Sequence, residues 1–405
     1  MVIHQPQVTS CWFQTVSLTE WYNNNNNNNN LTTTISTTCS SSSSSDGVLP
    51  LIDLRSNIDQ TKCPIIISPN HNNQQEQPLV VHLPWDSLMN GERSCELPPR
   101  NKMFAILFVW KSQSLLDDIT NFFMSTKSKV TGQSRKPWKV SQVILIRQQQ
   151  QFRNEALALG ITPTSTHQQL SIRHSSNHYD DDSSFVFTPL SRLWGPDPLV
   201  QNCILPQLKQ LLSTTTTTTT NDTTNFKYNI EVWDLGCGSG RDVCFLAEEM
   251  KHFWMNQKNN KSHHWYTKKN MLQDYGTNNH PFPFKFVGID NHKGSAKRCI
   301  PLWKHRNVHD ITDTKLLDLK KLPLVQNILQ EYHHNHHHHD KNHDEYPLLV
   351  IYAIRFLNRK LIHYMVHSNM IESGTIFALS HFCKERDGSP WNFDHPKVCS
   401  YTRVW

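Results

Sequence analysis

The chain has 405 residues, of which 37% are hydrophobic, with a formal charge of +6 and a mean hydropathy of −0.57. That length admits two domains plus linkers. The mild charge without a dense Lys/Arg block gives no clear nucleic-acid signal, and the longest apolar run, Phe104–Trp110, is far too short to span a bilayer.

The ten cysteines are scattered, with no C-x-x-C pair. They read as reduced thiols of an intracellular, cytoplasmic protein, with neither a zinc site nor a disulfide framework. The opening residues Met1-Val-Ile-His-Gln-Pro-Gln7 lack the basic region and apolar core of a secretory signal. The low mean hydropathy comes from the runs Asn23–Asn30, Ser40–Ser45, Gln148–Gln151, Thr214–Thr220 and His333–His343. Such runs bury too little apolar surface to offset ordering entropy and are expected to be disordered inserts. Metal binding by the histidines is the lesser alternative, and no metal is expected.

In chain order, residues 1–47 read as a low-complexity, disordered N-terminus apart from Cys11–Trp21. From 48 to 162 strands alternate with helices. Val48–Arg55, Ile65–Ile67, Leu79–Asp86, Phe104–Trp110 and Val140–Ile146 read as strands, and Leu115–Met124 and Gln151–Leu159 as helices. That alternation predicts a parallel α/β sheet. Leu51-Ile-Asp-Leu-Arg55, His82-Leu-Pro-Trp-Asp-Ser-Leu88 and Glu96-Leu-Pro-Pro-Arg100 resemble segments of rhodanese-like domains. In that family the nucleophilic cysteine follows the central strand. Here that loop reads Lys111-Ser-Gln-Ser114, and no cysteine lies between Cys95 and Cys203. A persulfide carrier needs a thiolate. The resemblance therefore implies a catalytically empty module, whose remaining role is to bind a protein partner.

Residues 163–198 read as a linker ending in the Pro-stiffened Ser191–Leu199. The second domain is expected over 199–405. A helix over Leu199–Leu212 precedes a strand (230–234), a helix (241–254), a polar insert (255–283) and a strand (Lys285–Asp290). Then come a helix (292–303), a short strand near Arg306–His309, a helix (314–330), a strand (Leu348–Tyr352), a helix (Arg359–Met370) and a strand (Gly374–Ser380). This is the βα repetition of a doubly wound sheet.

Residues 230–242 read Ile-Glu-Val-Trp-Asp-Leu-Gly-Cys-Gly-Ser-Gly-Arg-Asp. A strand ends at Asp234, a loop with Gly236, Gly238 and Gly240 follows, and Val243, Leu246, Ala247 and Met250 recur at helical spacing. The glycines let backbone approach a ligand, and the helix N-terminus offers free N–H groups. The dinucleotide pattern G-x-G-x-x-G fails because its last glycine falls on Arg241. The spacing Asp-x-Gly-x-Gly-x-Gly instead resembles class I S-adenosylmethionine (SAM) methyltransferases, and Arg241-Asp242 resembles their bacterial tellurite-resistance type.

That resemblance implies a Rossmann-like domain with SAM as cofactor. It places Asp234 and the three glycines at the methionine end. Asp290, ending Val287-Gly-Ile-Asp290, would hold the ribose hydroxyls, since carboxylates accept well from a vicinal diol. Asp310 would lie near the adenine amino group, and Tyr352 and Arg355, at a strand's carboxyl edge, near the acceptor. The competing structural readings are a turn or strand-end cap for Asp234 and Asp290, a helix N-cap for Asp310, and core and surface roles for Tyr352 and Arg355. The family normally ends with an antiparallel strand pair. Residues 381–405 are short for both, so a short sheet or a truncated product is expected. The predicted chain is thus α/β: a rhodanese-like domain plus a Rossmann-like methyltransferase domain. The acceptor, a small molecule or a protein, is not legible, and neither is a base. The alternative function is a non-catalytic SAM-binding or partner-binding protein.

Overall fold

A computed structural model describes residues 14–27, 49–65, 79–126, 136–161, 192–215, 230–261, 282–337, 348–355, 358–367, 375–382 and 398–404. The chain divides into two compact units, Met1–Asp181 with Ser191–Trp194, and Asp182–Leu190 with Gly195–Trp405.

In the first unit, β1 (Gln14–Val16), β2 (Leu51–Asp53), β3 (Val80–His82), β4 (Met103–Val109) and β5 (Lys139–Ile146) form one sheet in the order β1-β5-β4-β2-β3. Every pairing is parallel. Between the strands run α1 (Leu18–Asn27), α2 (Asn57–Lys62), α3 (Trp85–Met89), α4 (Gln113–Met124) and α5 (Gln149–Ala158). Side chains alternate across the sheet, as a period of two requires. Ile52, Phe104, Ile106 and Val143 line one core, and Leu51, Ala105, Leu107 and Ile144 the other.

The first strand and the start of the first helix fall in Cys11–Trp21, the stretch excepted from the low-complexity N-terminus, and extend this unit upstream of residue 48. Trp21 and Leu18 join the second core. Ser17 and Glu20 form a reciprocal cap at the start of α1, Ser17 N donating to Glu20 Oε2 (2.7 Å) and Glu20 N to Ser17 Oγ (3.1 Å). Asn23–Asn27 continue that helix instead of forming a disordered insert. Asn25 is buried, donating to Trp21 O and accepting from Leu49 N. Gln149–Gln151 likewise open α5, because glutamine is a good helix former and Phe152 anchors the turn in the core.

In the second unit a π-helical turn (Val200–Ile204) runs into α6 (Leu205–Thr215). Then come β6 (Ile230–Leu235), α7 (Arg241–Lys261), β7 (Phe284–Asp290), α8 (Lys293–His305), β8 (Thr312–Leu316) and α9 (Leu322–His337). The unit closes with β9 (Leu348–Ile354), α10 (Arg359–His367), β10 (Ile376–Phe382) and β11 (Val398–Val404). The sheet order is β11-β10-β9-β6-β7-β8. All pairings are parallel except β10 with β11, which is antiparallel. Among the described residues this edge of the sheet carries one antiparallel strand, β11. The strand order reverses at β6, which has β7 on one side and β9 on the other. In open α/β sheets ligands bind at the carboxyl ends of the strands beside such a reversal.

One stretch differs from the sequence expectation. The third strand is Thr312–Leu316, not 306–309, and the helix after it starts at Leu322, not 314. Residues 306–309 close α8 instead. Asn307 takes a left-handed conformation (φ 56°), and Val308 N bonds back to Trp303 O at 2.9 Å, the geometry of a helix C-terminal cap. Pro323 sits in the first turn of α9, where a missing N–H costs nothing.

Most of the expected linker and most of the Thr, Ser and His runs fall outside the described residues, as does most of the polar insert, α7 reaching Lys261. No helix among the described residues is long and apolar enough to cross a membrane.

Candidate functional site

The glycine loop follows directly from β6. Gly236 N and Cys237 N both donate to Ile289 O, at 2.7 and 3.2 Å, which folds the loop over the end of β7. Gly236, Gly238 and Gly240 have φ of 84°, 57° and 68°, a left-handed path that side-chain-bearing residues resist. Cys244 N then donates to Gly240 O and starts α7. Gly240 and Gly238 are glycine for different additional reasons. A Cβ at Gly240 would lie 2.6 Å from Cys299 Sγ and 2.9 Å from Trp303 Cζ2, so α8 packs directly on that backbone. A Cβ at Gly238 would meet nothing nearer than Gly236 O at 4.0 Å. The space in front of Gly238 is open to a ligand.

Carboxylates converge on this loop. Asp234 is 2% exposed and faces Tyr352 across the β6–β9 register. Burial pushes its carboxyl well above the usual range, and Cys237 and Asp242 push it further. The groups bearing most on it are Cys237, Asp242, Tyr352 and Asp290, none of them a cation. Burial also raises Asp242, to about 6, against the opposing pull of the Asp197 N–H and the charges of Arg355 and Arg241. That N–H donates to Asp242 Oδ1 at 2.8 Å. The Tyr352 hydroxyl lies near enough to Asp234 to hold its carboxyl down, yet it is aligned for no hydrogen bond. A buried acid, Asp234, with no cation among the groups bearing most on it, beside an orphaned hydroxyl and an open glycine loop, fits a ligand that brings a positive charge.

Asp290 ends β7 with both oxygens engaged. Oδ2 accepts from Gly238 N (2.9 Å) and Oδ1 from His292 N (2.8 Å). The carboxylate therefore fixes the loop and the entry to α8, as a strand-end cap does. Each oxygen keeps a second lone pair for a further donor.

Asp234, the three glycines, Asp290, Tyr352 and Arg355 all come together at the carboxyl edge. Arg355 directly follows β9, is exposed, has φ 56°, and donates from its backbone N to Ser380 O at 2.7 Å. Asp310 does not join them. It precedes β8 and so sits at the opposite edge, bonded through both oxygens to Lys251 Nζ at 2.9 and 3.0 Å. Lys251 is 4% exposed, and a buried ammonium needs such a partner. The acid at the carboxyl end of β8 is Asp318, half-buried between Leu317 and Leu319, with Leu317 N bonded to Asp290 O at 2.9 Å. Sequence reasoning passed over it because the strand was placed too early. The alternation Leu317-Asp318-Leu319, with both leucines buried, was the available signal. Asp242 and the Asp197 N–H that meets it were also missed as parts of the site.

No protein-family profile and no curated protein matches this chain. Among solved structures it is similar to an RNA methyltransferase from Salinibacter ruber in complex with S-adenosylhomocysteine, with 16% identity over 51% of this chain and 92% of that one and a TM-score of 0.25. It is similar also to the [4+2]-cyclase SpnF (14%, 45% and 47%, TM-score 0.23). A third is coclaurine N-methyltransferase bound to N-methylheliamine and S-adenosylhomocysteine (14%, 48% and 38%, TM-score 0.22). The match spans less than half the length of the last two. Likenesses this distant decide nothing about chemistry, which rests on the site itself.

Proposed function

We propose that the second unit binds SAM across the carboxyl ends of β6, β7 and β9 and transfers its methyl group to an acceptor. The observation that carries this reading is the pairing of the buried Asp234 and the half-buried Asp242, both raised by desolvation, with the open face of the glycine loop at Gly238. Asp234 and Asp242 would receive the cationic methionine end, and the Gly236–Gly240 backbone would lie against it. Asp290 would accept from the ribose hydroxyls with its remaining lone pairs. Asp318 takes over the adenine-side role first assigned to Asp310. SAM supplies a methyl group already activated on a sulfonium. The chain's part is to exclude water and hold the acceptor in line, the kind of positioning that lowers a barrier without a covalent step. A thiolate or chalcogenide acceptor needs no base, which is compatible with a tellurite-resistance-like role.

Tyr352 is buried and would line the cofactor side. Arg355 is exposed at the mouth and would hold an anionic group of the acceptor. Arg355→Ala is expected to keep SAM affinity and reduce methyl transfer at least tenfold. Lost SAM binding would place Arg355 in the cofactor shell instead. Equilibrium dialysis with labelled SAM tests the main reading: Asp290→Ala is expected to weaken binding at least tenfold in folded protein, whereas no binding by the unaltered chain would overturn it.

The first unit is read as rhodanese-like. Five parallel strands with helices between them support that reading. The loop after β4, in which Ser112 caps α4 by accepting from Leu115 N, carries no cysteine over Lys111–Ser114, which fits the catalytically empty form of that reading. Its proposed role is to bind a protein partner.

A further inference from the structure

Two thiols sit side by side where the glycine loop meets α8. Cys299 is fully buried, and its Sγ donates to Gly238 O at 3.7 Å. Cys237, within the loop, is half-buried, and the Cys299 thiol is the group that bears most on its own. A Cβ at Gly240 would fall 2.6 Å from Cys299 Sγ, one at Gly288 would fall 2.9 Å from Cys237 Sγ, and either would press on the Trp303 indole. The two sulfurs therefore share one small chamber bounded by Gly240, Gly288 and Trp303. Both cysteines are free.

We propose that Cys237 and Cys299 together form a binding site for one trivalent arsenical, which bridges the two sulfurs and ties the glycine loop to α8. Three arguments select this chemistry. First, a disulfide requires the sulfurs to close to about 2.05 Å, whereas one bridging atom spans a wider gap between two sulfurs packed beside the same indole. Second, the contact with Cys299, burial and the Asp290 charge all push the Cys237 thiol upward, which disfavours its thiolate. Peroxide oxidation, disulfide exchange and cation binding all start from the thiolate. An organoarsenic(III) oxide does not need it: R–As=O + 2 Cys–SH gives R–As(S–Cys)2 + H2O. Two As–S bonds form, the As=O and both S–H bonds break, and the protons leave with the oxygen as water. Neither arsenic nor sulfur changes oxidation state. Third, sulfur is the soft donor such an element prefers, and the two sulfurs are already held together by packing, which lowers the cost of bringing them into place.

Bridging removes the Cys299 hydrogen bond to Gly238 O and clamps the loop. On the SAM-binding reading, which this consequence rests on, the bridged protein binds SAM at least tenfold more weakly.

The test uses the full chain, phenylarsine oxide, and excess monothiol to strip singly attached adducts, with SAM absent. Tryptic peptides Tyr228–Arg241 and Cys299–Lys304 each contain one cysteine. They are expected to be recovered joined by a single phenylarsenic, released by a dithiol, and not joined in Cys237→Ser or Cys299→Ser. No adduct, or adducts only at other cysteines, would overturn the site. Unchanged SAM affinity in the bridged protein would overturn the coupling to the loop. Because bridging is read without SAM, failure of the unmodified chain to bind SAM would count against the proposed function and not against the site.

Discussion

Asp242 shows how one side chain records what a site is built for. Its carboxyl is raised from the usual 3.8 to about 6, by burial first. The sign follows from linkage. An acid whose folded pKa is raised destabilises the fold where it is ionised, so the penalty is absent below the unfolded value, grows between about pH 4 and 6, and is constant above. Asp242→Asn keeps an oxygen for the Asp197 N–H and removes the charge. It is expected to stabilise the second unit by about 1–2 kcal/mol at pH 7.5, discounted for partial exposure, with the gain vanishing near pH 4. Chemical denaturation across that range checks it, and a gain independent of pH would mean the charge is not the cause. Asp310 shows the converse. Its sequence claim to a functional role is weaker than that of Asp290, and it is occupied by a buried lysine.

At the scale of elements, the loop between β6 and α7 separates two demands on glycine. Gly240→Ala meets both the left-handed backbone, about 1–2 kcal/mol, and a clash with Cys299 and Trp303, about 1–3 kcal/mol more. Gly238→Ala meets only the first. Thermal unfolding is expected to show the larger loss for Gly240→Ala, while Gly238→Ala, whose methyl projects into open space at the loop, loses SAM affinity out of proportion to its stability. Equal stability losses would contradict this division. The loop, β6, β7 and β9 were legible in the sequence because strong apolar strands end in Asp234 and Asp290 and a glycine pattern follows. β8 was not, because it is an edge strand with polar Thr312, Asp313 and Lys315, which carries little hydrophobic periodicity. Asp310 was chosen in consequence, and Asp318 was passed over. The homopolymer runs misled in the same way. Composition says they cannot build a core, but it does not say that Trp21 and Phe152 anchor their first turns.

For the whole molecule, a parallel sheet in the first unit and a mainly parallel one in the second were readable from the alternation of strands and helices. The incorporation of β1 and α1 was not, since three strand residues beside an asparagine run give no periodic signal. The second unit places its acids and its open loop at one sheet edge, and the central claim is that this edge awaits a cationic cofactor. Calorimetric titration of the full chain with SAM between pH 5 and 7.5 tests that most directly. A cation favours the ionised carboxylates, so binding strengthens as pH rises through about 6 and, near that pH, releases protons seen as a buffer-dependent enthalpy. Single-site binding with this pH dependence is the predicted result. Absence of binding in folded protein, or an affinity that is flat across the range, would contradict the account.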